Sequence, residues 1–298
     1  MDLWIPVTIA AAFFQNLRNV LQKSLKGRLS TWGATASRFV YAAPLAVLFF
    51  AVLSGVTGED TGPPPGAFFA YGMAGGMAQI LATGLLISLF SHKNFAVATA
   101  FTKTEPLQTA VFGIVLLGER LSGGALVAIV ISLAGVVLVS LPGGDGPERW
   151  KLDRRVWTGV LSGGLFGLSA VAYRGASLSL AEGSVILRAS ATLAFVTVFQ
   201  ALAVLAWLAW RERGQVTRLV QAWRTAALVG VSGMLGSLGW FTAFTLENAA
   251  HVRALGQVEV IFTLAASILF FREKVTAREI AGVLLVAAGV VALVLLAH

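Results

Sequence analysis

Ten apolar runs, each close to bilayer length, follow one another along the chain with short polar breaks between them. They run from Trp4 to Leu25, Trp32 to Ser54, Ala67 to Phe90, Asn94 to Leu117, Ser122 to Leu141, Trp157 to Ser177, Gly183 to Trp210, Ala226 to Leu246, Ala249 to Phe271 and Ala277 to Ala297. The breaks carry the turn formers and charges: Lys26-Gly27-Arg28, Gly58-Glu59-Asp60 with Pro63-Pro64-Pro65, Ser91-His92-Lys93, Gly118-Glu119-Arg120, Pro142 to Val156, Glu182, Arg211 to Arg224, Glu247-Asn248 and Arg272 to Thr276. The runs are long, uniformly apolar and without inside-outside alternation, so the pattern predicts helices rather than barrel strands. The first run lacks a basic n-region and contains Gln15, Asn16 and Arg18, which reads as a retained span and not a cleaved signal peptide.

An internal repeat organises these runs. Shifting the chain by 154 residues aligns Asn94 to Val139 with Asn248 to Leu293 without a gap, giving 11 identities in 46 positions, where composition alone predicts about 4. Glu105 falls on Glu259, Glu119 on Glu273, and Ala134-Gly135-Val136-Val137 on Ala288-Gly289-Val290-Val291. A weaker echo at offset 150 pairs Gly33 with Gly183 and Arg38 with Arg188. The expected fold is therefore an all-α polytopic membrane protein of ten transmembrane helices: a first repeat over residues 1–141, a charged linker over 142–156 and a second repeat over 157–298. Five spans per half is an odd number, so the two repeats enter the membrane in opposite senses, an arrangement typical of alternating-access transporters.

Composition agrees with a membrane chain. Of 298 residues, 57% are hydrophobic and 12% charged, against about 25% charged in soluble domains. The absence of Cys excludes thiol chemistry and disulfides, and three His propose no metal or cofactor site. The net charge of +8 does not point to nucleic acid, because the basic residues cluster in short connections. The odd-numbered connections, with Arg278 at the start of the tenth run, carry 14 Lys and Arg and the even-numbered ones, with both termini, carry 1, which puts both termini outside. Trp4, Trp32, Trp157, Trp207 and Trp210 sit near run ends, as interfacial belts require.

The paired segments resemble the drug/metabolite transporter superfamily in its ten-helix, two-repeat EamA form. The residues that carry this are Thr104-Glu105-Pro106-Leu107, Leu117-Gly118-Glu119-Arg120-Leu121-Ser122 and Ala134-Gly135-Val136-Val137-Leu138, with second copies at Val258-Glu259-Val260-Ile261, Phe271-Arg272-Glu273-Lys274-Val275-Thr276 and Ala288-Gly289-Val290-Val291. The second copy lacks the Pro that follows the first membrane glutamate. The resemblance implies transport of amino acids, nucleotide sugars, sugar phosphates, small amines or drugs, and places both termini of many members in the cytoplasm, opposite to the charge tally. The expected location is a bacterial inner membrane.

Ionisable residues inside spans are costly and usually face an interior cavity. Glu105 and Glu259, at matching midspan positions, are candidates for proton coupling or, alternatively, for structural pairing with buried cations such as Lys103 or Arg253. Lys103 and Glu105 are two residues apart and lie on different faces of one helix, so any pairing must cross to another span. Arg18, Arg38, Lys103, Arg188 and Arg253 outnumber the two glutamates and favour a carboxylate or phosphate on the solute. Arg38 and Arg188 also read as helix-end anchors at opposite faces, and Lys23 and Arg174 as snorkelling residues. Asn16, Gln79, Gln257 and Trp240 complete the candidate substrate-binding set, with Gln15, Asn19 and Gln108 as further polar positions. Glu119 and Arg120 read as bridges at helix ends. Gly230, Gly233, Gly236 and Gly239, with Gly72, Gly75 and Gly76, mark close helix approach.

The expected function is secondary transport of a small polar metabolite, an amino acid or organic anion or zwitterion, by alternating access, in the direction of efflux, with protons as a possible co-substrate. Amine or drug-cation transport is the alternative within transport. A non-transporting scaffold or lipid-handling subunit is the alternative outside it. No nucleophile and base constellation supports an enzyme.

Overall fold

The computed structural model describes residues 2–25, 27–89, 102–140, 154–262 and 276–296. Lys26, the His92-Lys93 break, the start of the fourth run, most of the 142–156 linker, the second half of the ninth run and the Glu273-Lys274 motif lie outside the described residues.

Every described element is helical: α1 (Trp4–Leu25), α2 (Thr31–Thr57), α3 (Gly66–Leu89), α4 (Glu105–Leu117), α5 (Gly123–Ser140), α6 (Arg154–Ser179), α7 (Val185–Arg211), α8 (Gln215–Gln221), α9 (Trp223–Leu246), α10 (Ala249–Leu255) and α11 (Ala277–Leu296). By length and composition α2, α3, α7, α9 and α11 can each cross a membrane, while α4 and α5 are shorter apolar helices. Helix ends follow local chemistry. Ser30 caps α2 by accepting from the Gly33 amide at 2.9 Å. Gly118, at φ 65°, ends α4 in the left-handed conformation that lets the Glu119 amide reach the Gly113 carbonyl at 3.2 Å.

The Arg211 to Arg224 break between two apolar runs contains a short helix, α8, whose Leu219 is buried. Gln215 Oε1 accepts from the Ser30 amide at 3.1 Å and the Leu219 carbonyl accepts from Tyr41 at 3.3 Å, so α8 braces the start of α2. Seven residues with a single strongly buried position give too little periodicity to read in sequence.

The closest packings join elements on opposite sides of the 142–153 stretch: α5 with α11, α3 with α6, α1 with α9, and α2 with α7. The small-residue stripes make these crossings possible. On α9, Gly230 faces Tyr41 of α2, while Gly236 and Gly239 face Ala11 of α1. On α3, Gly72, Gly75 and Gly76 receive Phe195, Tyr173 and Phe199. At the α5–α11 crossing, a Cβ on Gly135 would lie 2.6 Å from the Gly282 carbonyl oxygen, and one on Gly289 would lie 2.6 Å from the Ser132 amide nitrogen.

Large apolar side chains face outward, among them Leu48, Val115, Val130, Leu202, Leu284 and Leu295. Polar ones turn inward. Trp157, Trp207, Trp210 and Trp223 are exposed near helix ends, with Arg211 4.2 Å from the Trp210 ring. Trp4 departs from the expected belt: it is buried in the core, where α1 packs against its neighbours.

Candidate functional site

Both midspan glutamates sit at interruptions of regular α-helix. Glu105 opens α4 with Pro106 behind it, where a proline costs no internal hydrogen bond and the acidic side chain complements the helix N-terminus. Glu259 follows a 3₁₀ turn, Gly256–Val258, that ends α10. The second copy thus breaks without the proline that the first one has. The close approach of the Trp240 indole to Gly256 shows why a glycine stands at that turn.

The two carboxylates are paired crosswise. Arg253 Nε lies 2.7 Å from Glu105 Oε1, and Lys103 Nζ pairs with Glu259 Oε1. The Arg253 contact is ionic without the alignment of a hydrogen bond, since neither atom completes one. Each pair therefore joins the first part of the chain to the second, as the different-face argument for Lys103 and Glu105 requires. Gln15 donates to Glu259 Oε2 at 2.9 Å, and Asn16 donates to the Glu259 carbonyl at 3.3 Å. Arg253 also lies 4.7 Å from the centre of the Trp240 ring and 5.4 Å from that of Phe244, whose rings stack on each other. Trp240 is thus a platform for Arg253. Gln257 folds back onto the Arg253 carbonyl at 3.3 Å, leaving its Oε1 unpartnered.

Two further cations lack such partners. Arg18 and Arg38 are each 4% exposed and converge on Gly233, where a Cβ would meet Arg18 Cδ at 3.4 Å and Arg38 Cγ at 3.6 Å. Arg18 donates to Asn19 at 2.8 Å and Arg38 to Thr83 at 3.3 Å. Among the described residues neither has a carboxylate within ion-pair distance, and Arg18 Nε has no acceptor. A buried guanidinium without an anion is costly.

Arg38 lines a narrow gap together with Gln79, Thr197, Gln200, Ser237 and Phe241. Behind it runs a polar network. Tyr173 donates to Gly75 O at 3.0 Å and to Gln79 Oε1 at 3.1 Å, and its ring stacks on Phe241 at 4.3 Å. Gln200 donates to Gly76 O at 3.1 Å and to Gln79 Oε1 at 2.9 Å. Gln200 and Tyr173 were missed in sequence, although Gln200 carries the same signal as Gln79, a lone amide in an apolar run.

Arg188 stands apart from this cluster. Ser30, just before α2, reaches Gln215, just past the end of α7, so α2 and α7 run antiparallel. Arg188 in the first turn of α7 therefore lies toward the opposite end from Arg38.

Arg174 does not snorkel. Its Nε meets Glu119 Oε1 at 2.5 Å, and its Nη1 donates to the Phe244 and Glu247 carbonyls at 2.6 Å, tying together α6, the end of α4 and the end of α9. Glu247 beside it accepts from the Asn248 amide at 2.7 Å and faces His251 Nδ1 at 3.1 Å. Partial burial works against its ionisation, but the His251 and Asn248 contacts and the nearby Arg174 outweigh it and hold the carboxyl below its ordinary value of 4.5. A carboxyl depressed in the folded state adds stability above its ordinary pKa and loses it as pH falls through the depressed value. Thermal stability is expected to decline as pH drops below about 4.5, and Glu247→Gln to flatten that part of the curve. Parallel curves for the two proteins would remove Glu247 as the cause.

A crystal structure of a protein 16% identical in sequence superposes with a TM-score of 0.73 over 99% of this chain and 97% of that one, a likeness of fold alone. No curated protein matches the chain in sequence. The model of the EamA-like transporter family matches twice, over residues 2–141 and 156–295. With nearly the whole chain covered by these two matches, the protein belongs to the EamA-like transporter family and is a two-repeat, multi-pass membrane transporter of the drug/metabolite superfamily.

Proposed function

We infer that this transporter moves a small polar metabolite bearing a carboxylate or similar anion, an amino acid or other organic anion or zwitterion, by alternating access in the direction of export. The observation that carries this reading is the pair of buried arginines, Arg18 and Arg38, that meet at Gly233 beside the gap with no carboxylate in ion-pair distance among the described residues. A solute anion supplies the charge that the protein withholds there. Amine or drug-cation transport fits less well, because both midspan carboxylates are already held by Lys103 and Arg253.

The mechanism proposed is exchange between two states of ten spans arranged as two inverted five-helix repeats joined by the 142–156 linker. The interleaved packing supports it, since every closest helix pair spans the two repeat matches and a tilt of one half against the other alters all these seams together. Glu105 and Glu259 are the proposed proton sites: protonation releases Arg253 or Lys103, and the freed cation is then available to the solute.

The test is counterflow in liposomes with labelled amino acids, sugar phosphates and organic amines, with and without a pH gradient. Saturable exchange of anionic or zwitterionic solutes supports the reading, and exchange confined to amines overturns it. Arg38→Ala is expected to weaken the anionic substrate about 10- to 100-fold, the loss of one charged hydrogen-bonding partner. An equal effect on a neutral analogue would count against an anion site.

A further inference from the structure

Gln200 is 1% exposed, lines the gap with Arg38, and its amide orientation is fixed by the protein. Gly76 O and Gln79 Oε1 can only accept, so the nitrogen must face them and the oxygen must be the remaining atom. Tyr173 does not relieve that oxygen, because its hydroxyl proton is directed to Gly75 O and Gln79 Oε1. Gln200 Oε1 is a buried acceptor with no partner. Such a group carries a desolvation cost unless something donates to it. Gly76 and Gly75 of α3 supply the close backbone approach that holds the arrangement, with Phe199 seated against Gly76 and Tyr173 against Gly75.

The lining of one gap therefore includes an arginine with no carboxylate beside it among the described residues and an amide whose oxygen has no donor. Phe39 and Phe241 line it as well and offer an apolar wall.

We propose that Gln200 is a specificity-determining residue that reads a hydrogen-bond donor on the solute, so that the preferred substrate carries an amino or hydroxyl group beside its carboxylate rather than a carboxylate alone. This rests on the anion reading of Arg38 given above. The acceptor is a neutral amide and not a carboxylate, so the donor need not be charged, and hydroxy acids and amino acids are both admitted. Gln79 is the positioning residue, since it accepts from Gln200 and Tyr173 together.

The experiment measures inhibition of counterflow and ligand-induced thermal shift in the purified full chain, using two matched sets: propionate, lactate and alanine, and 3-phenylpropionate, 3-phenyllactate and phenylalanine. Within a set, the hydroxy and amino forms are expected to bind about 10-fold more tightly than the plain acid, the share of one neutral hydrogen bond to a buried group. Gln200→Met is expected to collapse that ratio toward unity while binding of the plain acid persists. Gln200→Glu keeps the outline but gives up the N–H groups that Gly76 O and Gln79 Oε1 accept, and in folded protein is expected to favour the amino over the hydroxy form. The ratio within each set in the unsubstituted protein decides the matter if neither variant folds. Plain acids that bind as well as their substituted partners overturn the role of Gln200 and leave the anion site standing. Failure of every carboxylate in both sets, with exchange confined to the organic amines of the counterflow panel, overturns the anion reading itself.

Discussion

Glu105→Gln is expected to destabilise the protein by about 3 to 5 kcal/mol, because it removes one member of a buried ion pair and leaves the other charged. Arg253, 7% exposed, would keep only the faces of Trp240 and Phe244 and would have no counter-ion. Replacing both members by leucine removes that stranded charge, so the double variant is expected to recover most of the loss. Reversible unfolding in mixed micelles, run as a double-mutant cycle, measures the difference. Additive losses in the cycle would show that the two side chains act independently. The same variants separate strut from proton site in transport. A folded Glu105→Gln protein that still exchanges solute but ignores a pH gradient places the coupling proton on Glu105, whereas retained gradient dependence makes the carboxylate purely structural.

Gly135→Val is expected to be the most damaging single change at a helix crossing, at about 3 kcal/mol. The added atoms would strike the Gly282 carbonyl and the Val286 amide nitrogen, each 2.6 Å from even a first Cβ. Backbone cannot swing aside as a flexible side chain can, so α5 and α11 would have to separate along their seam. Gly289, the repeat partner of Gly135, faces Ser132 backbone across the same seam and is expected to respond alike. Gly55, in α2 with nothing within 4 Å of its Cβ position, is the control: Gly55→Ala should gain roughly 0.5 to 1 kcal/mol. Equal responses at Gly135 and Gly55, read as unfolding midpoints, would sink the close-crossing argument.

What could be read in sequence follows from how strongly the bilayer penalises a residue. Glu105 and Glu259 were legible because a midspan carboxylate needs a reason, and the constant spacing of 154 tied them together. Their partners could be named as candidates but not matched, for Lys103 reaches Glu259 and Arg253 reaches Glu105 only through packing between distant spans. Position within a run could not tell Arg174 as a latch from a snorkelling arginine, since both stand near a helix end. Sequence offered Arg188 both as part of the basic set and as an anchor at the face opposite Arg38, and the antiparallel run of α2 and α7 places it toward the opposite end. The glycine stripe on α9 was readable as close approach. That Gly233 makes room for two guanidiniums was not, because the stripe names the gap and not its occupant.

The seams between α1 and α9, α2 and α7, α3 and α6, and α5 and α11 also bear on how the chain is born. Synthesis delivers α1 through α5 before any of their principal partners exists. Until then Lys103 and Glu105 lack Glu259 and Arg253, and Arg18 and Arg38 have only Asn19 and Thr83 to bond. The first half is therefore expected to be unstable by itself, and truncation after α5 to lower its steady-state level in the membrane relative to the full chain.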